Sequence, residues 1–191
     1  SFDGGADTDR VDLSNYEFAV FVNDNNIDAI ITGFTGDTLG AQIGVVGFML
    51  DVEAVTGTDF DDLFRDNGEG FIFDGGLGND RFFLDDLDGG VATAGAYDGG
   101  TGVDTIEDQR DGGNGIRVNV SGASETLNFG GVVQTLAAGT FKDSDGVIHA
   151  VANIENVNGT GAADVLIGGD EDNVFSDGAG ADRIEANGGD D

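Results

Sequence analysis

The residues best suited to chemistry in this chain are aspartates that close glycine-rich turns. In GGLGNDRFF (75–83), three glycines and Asp80 lead into a run of strand-forming residues. A glycine turn can cradle a phosphate, but that use needs a helix start and usually a basic residue behind the turn. Here RFFL follows, with no Walker lysine and no GxGxxG spacing. A cation explains each position better. Glycine reaches the positive-φ conformations that aim carbonyl oxygens at one point, and Asp80 adds a carboxylate at the mouth of the strand. Oxygen-only ligand sets suit Ca²⁺, at distances of about 2.3–2.6 Å, whereas Mg²⁺ demands a tighter octahedron. Zinc prefers His or Cys, and the chain has one His and no Cys.

The whole composition points the same way. Seven Lys and Arg face 38 Asp and Glu, a net charge of −31. That field repels nucleic acid and anionic membranes and concentrates cations. Apolar residues make up 39% of the 191 positions, enough to fold, so the charge predicts a fold that depends on neutralising counter-ions. The absence of Cys excludes disulfides and thiolate sites. No apolar run approaches the ~18 residues of a membrane-spanning helix. Both ends fall in mid-pattern, which predicts a piece of a longer protein, with any export signal outside it.

The elements that must position these aspartates follow a nine-residue clock. Blocks run GTDFDDLFR (57–65), DNGEGFIFD (66–74) and GGLGNDRFF (75–83), with GGTGVDTIE at 99–107 and a looser GGADTDRVD at 4–12. A second array follows at 159–167, 168–176, 177–185 and 186–191. The eighth position is apolar throughout: Val46, Val55, Phe64, Phe73 and Phe82 in one half, Ile148, Val157, Leu166, Phe175 and Ile184 in the other. Each block reads as a six-residue turn and a three-residue strand. Alternation sends position 8 inward and positions 7 and 9 outward, as Arg81, Arg183, Glu107 and Glu185 require. Two blocks make one flattened coil of about eighteen residues, and stacked coils pair parallel strands at roughly 4.8 Å. The predicted fold is all-β, a right-handed parallel β-roll.

A larger duplication is also present. VEAVTGTDFDDLF (52–64) matches IENVNGTGAADVLI (154–167), and 9–23 roughly matches 104–120. The chain therefore divides into repeat units at 1–98 and 99–191, expected to form one continuous stack. The irregular stretches 13–50 and 108–150 are expected to continue the coil with poorer turns or to bulge out as loops. Segment 84–98 is six residues longer than one block and predicts an inserted loop.

GGLGNDRFF and GGTGVDTIE fit the G-G-x-G-x-D-x-U-x nonapeptide and resemble the RTX (repeats-in-toxin) family of calcium-binding proteins. Other blocks match in part, and the likeness covers close to half of the chain. The resemblance implies calcium ions held between turns stacked on one edge, two blocks apart, by position-6 carboxylates and turn carbonyls. Carried over, Asp62 and Asp80 share one ion with carbonyls from Gly76 and Gly78. With the insertion on the opposite edge, Asp80 and Asp104 share another with Gly100 and Gly102. Asp164 pairs with Asp182, using Gly178 and Gly180, and Asn173 pairs with Asp191. Asn173 lacks charge and Glu171 replaces a glycine, so that site is expected to be weak or empty. Asp9 lacks an upstream partner. Phe71 at position 6 and Glu69 at position 4 predict a turn that binds nothing.

Other candidates are weaker. Asp24, Asn26 and Asp28 mimic the start of an EF-hand loop, but Ala29 and Thr35 replace its glycine and glutamate, so a polar surface turn is expected. DSDG (143–146) reads as a hairpin turn. His149, beside Ile148, reads as an outward strand residue, and neither HExxH nor G-x-S-x-G is present. No active site is predicted within 1–191. The family likeness implies a calcium-dependent folding module of a larger secreted bacterial protein, exported by a type I system. An adhesive or surface-layer segment, associating with itself through calcium or touching surface polysaccharide, remains open. So does an accessory domain of a secreted protease, lipase or polysaccharide-modifying enzyme.

Overall fold

A computed structural model describes residues 2–23, 29–34, 42–50, 52–68, 70–85, 93–109, 113–129 and 132–191. These residues form strands and turns with no helix among them. One nine-stranded sheet holds, in spatial order, β1 (Phe2–Asp3), β5 (Gln42–Leu50), β4 (Ala29–Phe34), β3 (Val20–Asn23), β7 (Leu63–Asp66), β9 (Arg81–Leu84), β11 (Thr105–Asp108), β17 (Asn156–Asn158) and β19 (Val174–Ser176). The other holds β2 (Arg10–Asp12), β6 (Ala54–Thr56), β8 (Ile72–Asp74), β10 (Ala96–Asp98), β16 (Ile148–Ala152), β15 (Thr140–Lys142), β12 (Arg117–Asn119), β18 (Val165–Ile167) and β20 (Arg183–Glu185). A separate hairpin pairs β13 (Glu125–Phe129) with β14 (Val132–Leu136).

The nine-residue clock sets the register. The chain alternates between sheets, so register partners lie eighteen residues apart: Phe64 pairs with Phe82, and Leu166 with Ile184. Across the six extra residues of 84–98 the step becomes 24, as in Phe82 to Ile106 and Phe73 to Tyr97. Val22, Phe64, Phe82, Ile106, Val157 and Phe175 are successive partners in the first sheet. Val11, Val55, Phe73, Tyr97 and Val151 are partners in the second. The Phe64 and Phe82 rings stack at 5.2 Å and 10°. Residues from both repeat units share this one core, and both sheets cross the 98/99 boundary. Phe175 and Ile184 are less covered because β19 and β20 are the outermost strands.

The irregular stretches meet expectation in part: β3 and β12 continue the coil, and the β13–β14 hairpin stands outside both nine-stranded sheets. They also do something the sequence did not suggest, splicing antiparallel strands into the sheets. β4 runs antiparallel to β3 and β5 in the first sheet, and β15 runs antiparallel to β12 and β16 in the second. The strands that flank each splice remain in the parallel register, β3 on β7 and β12 on β18.

The splice also overturns one rung of the expected ladder. Ile148 is 58% exposed, and His149 and Val151 face inward in its place. The turn from β16 to β17 is only 153–155, three residues against the six of a nonapeptide turn, so the clock slips before Val157 and returns there. Val46 lies where side chains are outside the described residues. On β18 the outward Val165 and Ile167 are buried as well, because Leu127 and Leu136 of the β13–β14 hairpin pack over them.

The duplication has a geometric counterpart. β2 and β6 lie in the second sheet, but their sequence equivalents β11 and β17 lie in the first; β3 and β7 exchange likewise with β12 and β18. An equivalent residue in the second unit therefore sits on the opposite sheet.

Candidate metal centre

The turns that enter the first sheet stack along one edge and bring the position-6 residues into a column. Val20 N–H donates to Asp62 Oδ1 at 2.7 Å, Asp62 N–H to Asp80 Oδ1 at 2.7 Å, and Asp80 N–H to Asp104 Oδ1 at 2.6 Å. The column continues where the sequence pattern does not, with Asp104 N–H donating to Glu155 Oε2 at 2.8 Å. Asn173 N–H then donates to Asp191 Oδ1 at 2.7 Å. On the opposite edge Ile116 N–H donates to Asp164 Oδ1 at 2.7 Å and Asp164 N–H to Asp182 Oδ1 at 2.9 Å. Asp9 N–H reaches Glu53 Oε2 at 2.9 Å.

Every predicted pair is thus adjacent, including Asp80 with Asp104. Glu155 and Glu53 escaped notice because neither belongs to a glycine turn. The signal was the eighteen-residue step from Glu155 to Asn173, together with the matching places of the two glutamates in VEAV and IENV.

The turns are of two chemical kinds. In the turns with Thr at position 2 both carboxylate oxygens are hydrogen-bonded. Asp62 Oδ2 accepts from Thr58 N–H at 2.6 Å, and Oδ1 also accepts from the Thr58 hydroxyl at 3.0 Å. Asp164 repeats this with Thr160, at 2.7 and 3.0 Å. In the double-glycine turns no side chain caps the aspartate. Gly76, Gly78, Gly100, Gly102, Gly178 and Gly180 all adopt positive φ, as predicted. Close stacking requires it too: a Cβ on Gly102 would lie 1.6 Å from the Gly78 carbonyl oxygen. The Gly76 carbonyl accepts the Thr101 N–H at 2.9 Å, which leaves one lone pair for another partner.

Asp62, Asp80 and Asp104 are almost fully buried. Asp80 Oδ2 and Asp104 Oδ2 have no hydrogen-bond partner. Each lies beside the first glycine of its own turn; a Cβ on Gly75 would meet Asp80 Oδ2 at 2.1 Å and the Gly99 carbonyl oxygen at 2.6 Å. Burial pushes the Asp80 carboxyl up to about 9, and repulsion from Asp62 and Asp104 adds to this against the bond from the Asp62 amide. Burial likewise raises Asp62 to about 7 and Asp104 to about 6, with Glu155 adding repulsion at Asp104. A column of this kind can hold protons or cations. The orphaned carboxylate oxygens fit a hard cation. Among the described residues, however, no three acidic or histidine side chains converge on one point, so backbone carbonyls and water would have to complete its shell.

Elsewhere one expectation is reversed. His149 is buried, not outward. Its Nε2 pairs with Asp143 Oδ2 at 2.9 Å, and Nδ1 accepts the Gly95 N–H at 2.9 Å, which places the ring proton on Nε2. Tyr97 OH lies 3.3 Å from Nδ1 and donates to Asp66 Oδ2 at 2.6 Å. The network ties the spliced strands to the stack beneath them. DSDG does form the β15–β16 turn, with Gly146 N–H donating to the Asp143 carbonyl at 3.1 Å. Asp24, Asn26, Asp28 and Glu69 lie outside the described residues.

Compared with protein-family models and with curated proteins, the chain matches none.

Proposed function

We propose that this chain is a calcium-binding module of the RTX kind, a right-handed parallel β-roll that folds when calcium enters the column at Asp80 and Asp104. The observation that carries this is the pair of buried, partnerless oxygens, Asp80 Oδ2 and Asp104 Oδ2, in the two turns that match the whole nonapeptide. Unpaired buried carboxylates are strongly unfavourable, and a net charge of −31 adds repulsion along the entire chain. A divalent ion removes both penalties with hard oxygen ligands. Asp62 and Asp164 keep a different role, as turn caps whose oxygens are already occupied by Thr58 and Thr160.

The energetics suit a switch. Binding to the folded state alone contributes about 1.4 kcal/mol per site at tenfold excess over Kd, a large share of a marginal fold's stability. Extracellular calcium modules bind at around 10⁻⁴–10⁻³ M, so the chain would stay unfolded in a cytosol and fold after secretion. Circular dichroism at neutral pH, with millimolar calcium and after chelation, tests this. The β spectrum is expected only with calcium; an unchanged spectrum after chelation would sink the proposal.

A further inference from the structure

Glu155 lies in no nonapeptide turn. It ends the three-residue turn that returns the chain from β16 to β17, and its Oε2 accepts the Asp104 N–H across 51 residues of sequence. Elsewhere in the column an aspartate on a six-residue turn makes that bond. One extra methylene lets glutamate reach the same place from a shorter turn. An amide side chain would accept the bond equally well, so the N–H does not account for the charge.

A second feature faces the same turn. Asp104 Oδ2 is buried without a partner. A Cβ on Gly99 would lie 2.5 Å from that oxygen and 2.0 Å from the Asn153 carbonyl oxygen, so both oxygens crowd the Gly99 Cα. Asn153 holds φ +50°, and its side chain donates to Asp98 Oδ1 at 2.7 Å.

We propose that Asp104, Glu155 and the Asn153 carbonyl form a further calcium site that staples the end of the irregular stretch 108–150 into the stack. This assignment rests on the calcium reading of the Asp80 and Asp104 turns. The two carboxylates are neighbours in space but distant in sequence, and the entropy cost of holding such a loop closed grows with its length. An ion shared by both ends offsets that cost at the point where the spliced strands rejoin the parallel register. The Asp9–Glu53 contact occupies the equivalent place in the first unit, but Glu53 is exposed there and no orphaned oxygen accompanies it.

Calcium titration of the full chain by calorimetry tests the staple, comparing the wild type with Glu155→Gln and Asp80→Asn. Gln keeps an oxygen for the Asp104 N–H and removes only the charge. Glu155→Gln is expected to bind one ion fewer, or one ion about tenfold or more weakly, while still folding in calcium. Asp80→Asn is expected to retain the ion at Asn153 and Glu155. A readout that needs no variant is trace Mn²⁺ added to the calcium-loaded wild type, which should broaden the amide resonances of Gly99, Asn153 and Glu155. If the wild type binds calcium but Glu155→Gln is unchanged, or broadening is confined to residues around Asp80, the staple is wrong and the module reading stands. A wild type that binds no calcium overturns both.

Discussion

The Asp80 amide donates to Asp104 Oδ1 at 2.6 Å, while Asp104 Oδ2 beside it has no donor. The same split holds one level down, where Asp80 Oδ1 takes the Asp62 amide and Asp80 Oδ2 takes nothing. Each carboxylate is therefore anchored by one oxygen and left open at the other. An anchored oxygen fixes the position of the open one, so a cation would need little reorganisation to bind there.

Burial of the column sets a pH dependence. Asp62, Asp80 and Asp104 have folded-state pKa values raised to about 7, 9 and 6 from an ordinary 3.8. A raised carboxyl favours the folded state below the unfolded value and loses that contribution as pH rises through the folded one. Without calcium, stability is expected to fall between pH 4 and about 9, so the chelated chain folds at pH 4 and not at pH 8. Calcium reverses the slope, and its binding in this window releases protons. Circular dichroism across pH, and acidification of a weakly buffered sample on calcium addition, check both signs.

The first glycine of the turn is a steric test. A Cβ on Gly75 would sit 2.1 Å from Asp80 Oδ2 and 2.6 Å from the Gly99 carbonyl oxygen. Gly75→Ala is expected to displace the carboxylate and weaken calcium binding by about tenfold or more. Gly161→Ala is the control: nothing lies within 4 Å of its Cβ position and its φ is not positive. It should be neutral, or more stable by roughly 0.4–1 kcal/mol through reduced unfolded-state entropy.

The parallel strands and their registers were legible because one rule, an inward residue every nine, covers Phe64, Phe73, Phe82, Val157 and Leu166 alike. Where the rule lapsed the sequence misled. Ile148 and His149 traded faces because strand alternation within the antiparallel splice, not the clock, decides which of them is buried. The aspartates with both oxygens bonded and those with one open could not be told apart from position 6 alone. The deciding residue is at position 2, where Thr58 and Thr160 supply a hydroxyl and Gly76 and Gly100 supply none. Glu155 was hidden by a turn half the usual length.

Alternation itself can be tested at adjacent phenylalanines. Phe82 is buried and stacked on Phe64, whereas Phe83 lies on the outer face with the Arg81 guanidinium 5.1 Å from its ring centre. Phe82→Ala is expected to cost about 3–5 kcal/mol and to raise the calcium concentration needed for half-folding by about tenfold or more. Phe83→Ala forgoes a contact of roughly 0.5–1 kcal/mol. Calcium titrations followed by circular dichroism separate the two.

The Thr caps separate calcium-dependent from calcium-independent stability. The Thr58 hydroxyl donates to Asp62 Oδ1 at 3.0 Å and accepts the Phe60 N–H at 3.1 Å; Thr160 does the same for Asp164 and Ala162. Thr58→Val preserves shape and removes both bonds, leaving the Phe60 N–H without its acceptor. A loss of about 1–2 kcal/mol is expected, and Thr160→Val should match it because the two turns are equivalent in the duplicated halves. Both losses should appear in saturating calcium and also in chelator at pH 4, where the raised Asp62, Asp80 and Asp104 carboxyls carry protons and Asp62 is a weaker acceptor. Asp80→Asn, in contrast, should destabilise in calcium and change little in acid. Urea unfolding under both conditions checks the distinction. A Thr58→Val loss that appeared only in calcium would make Asp62 an ion ligand after all.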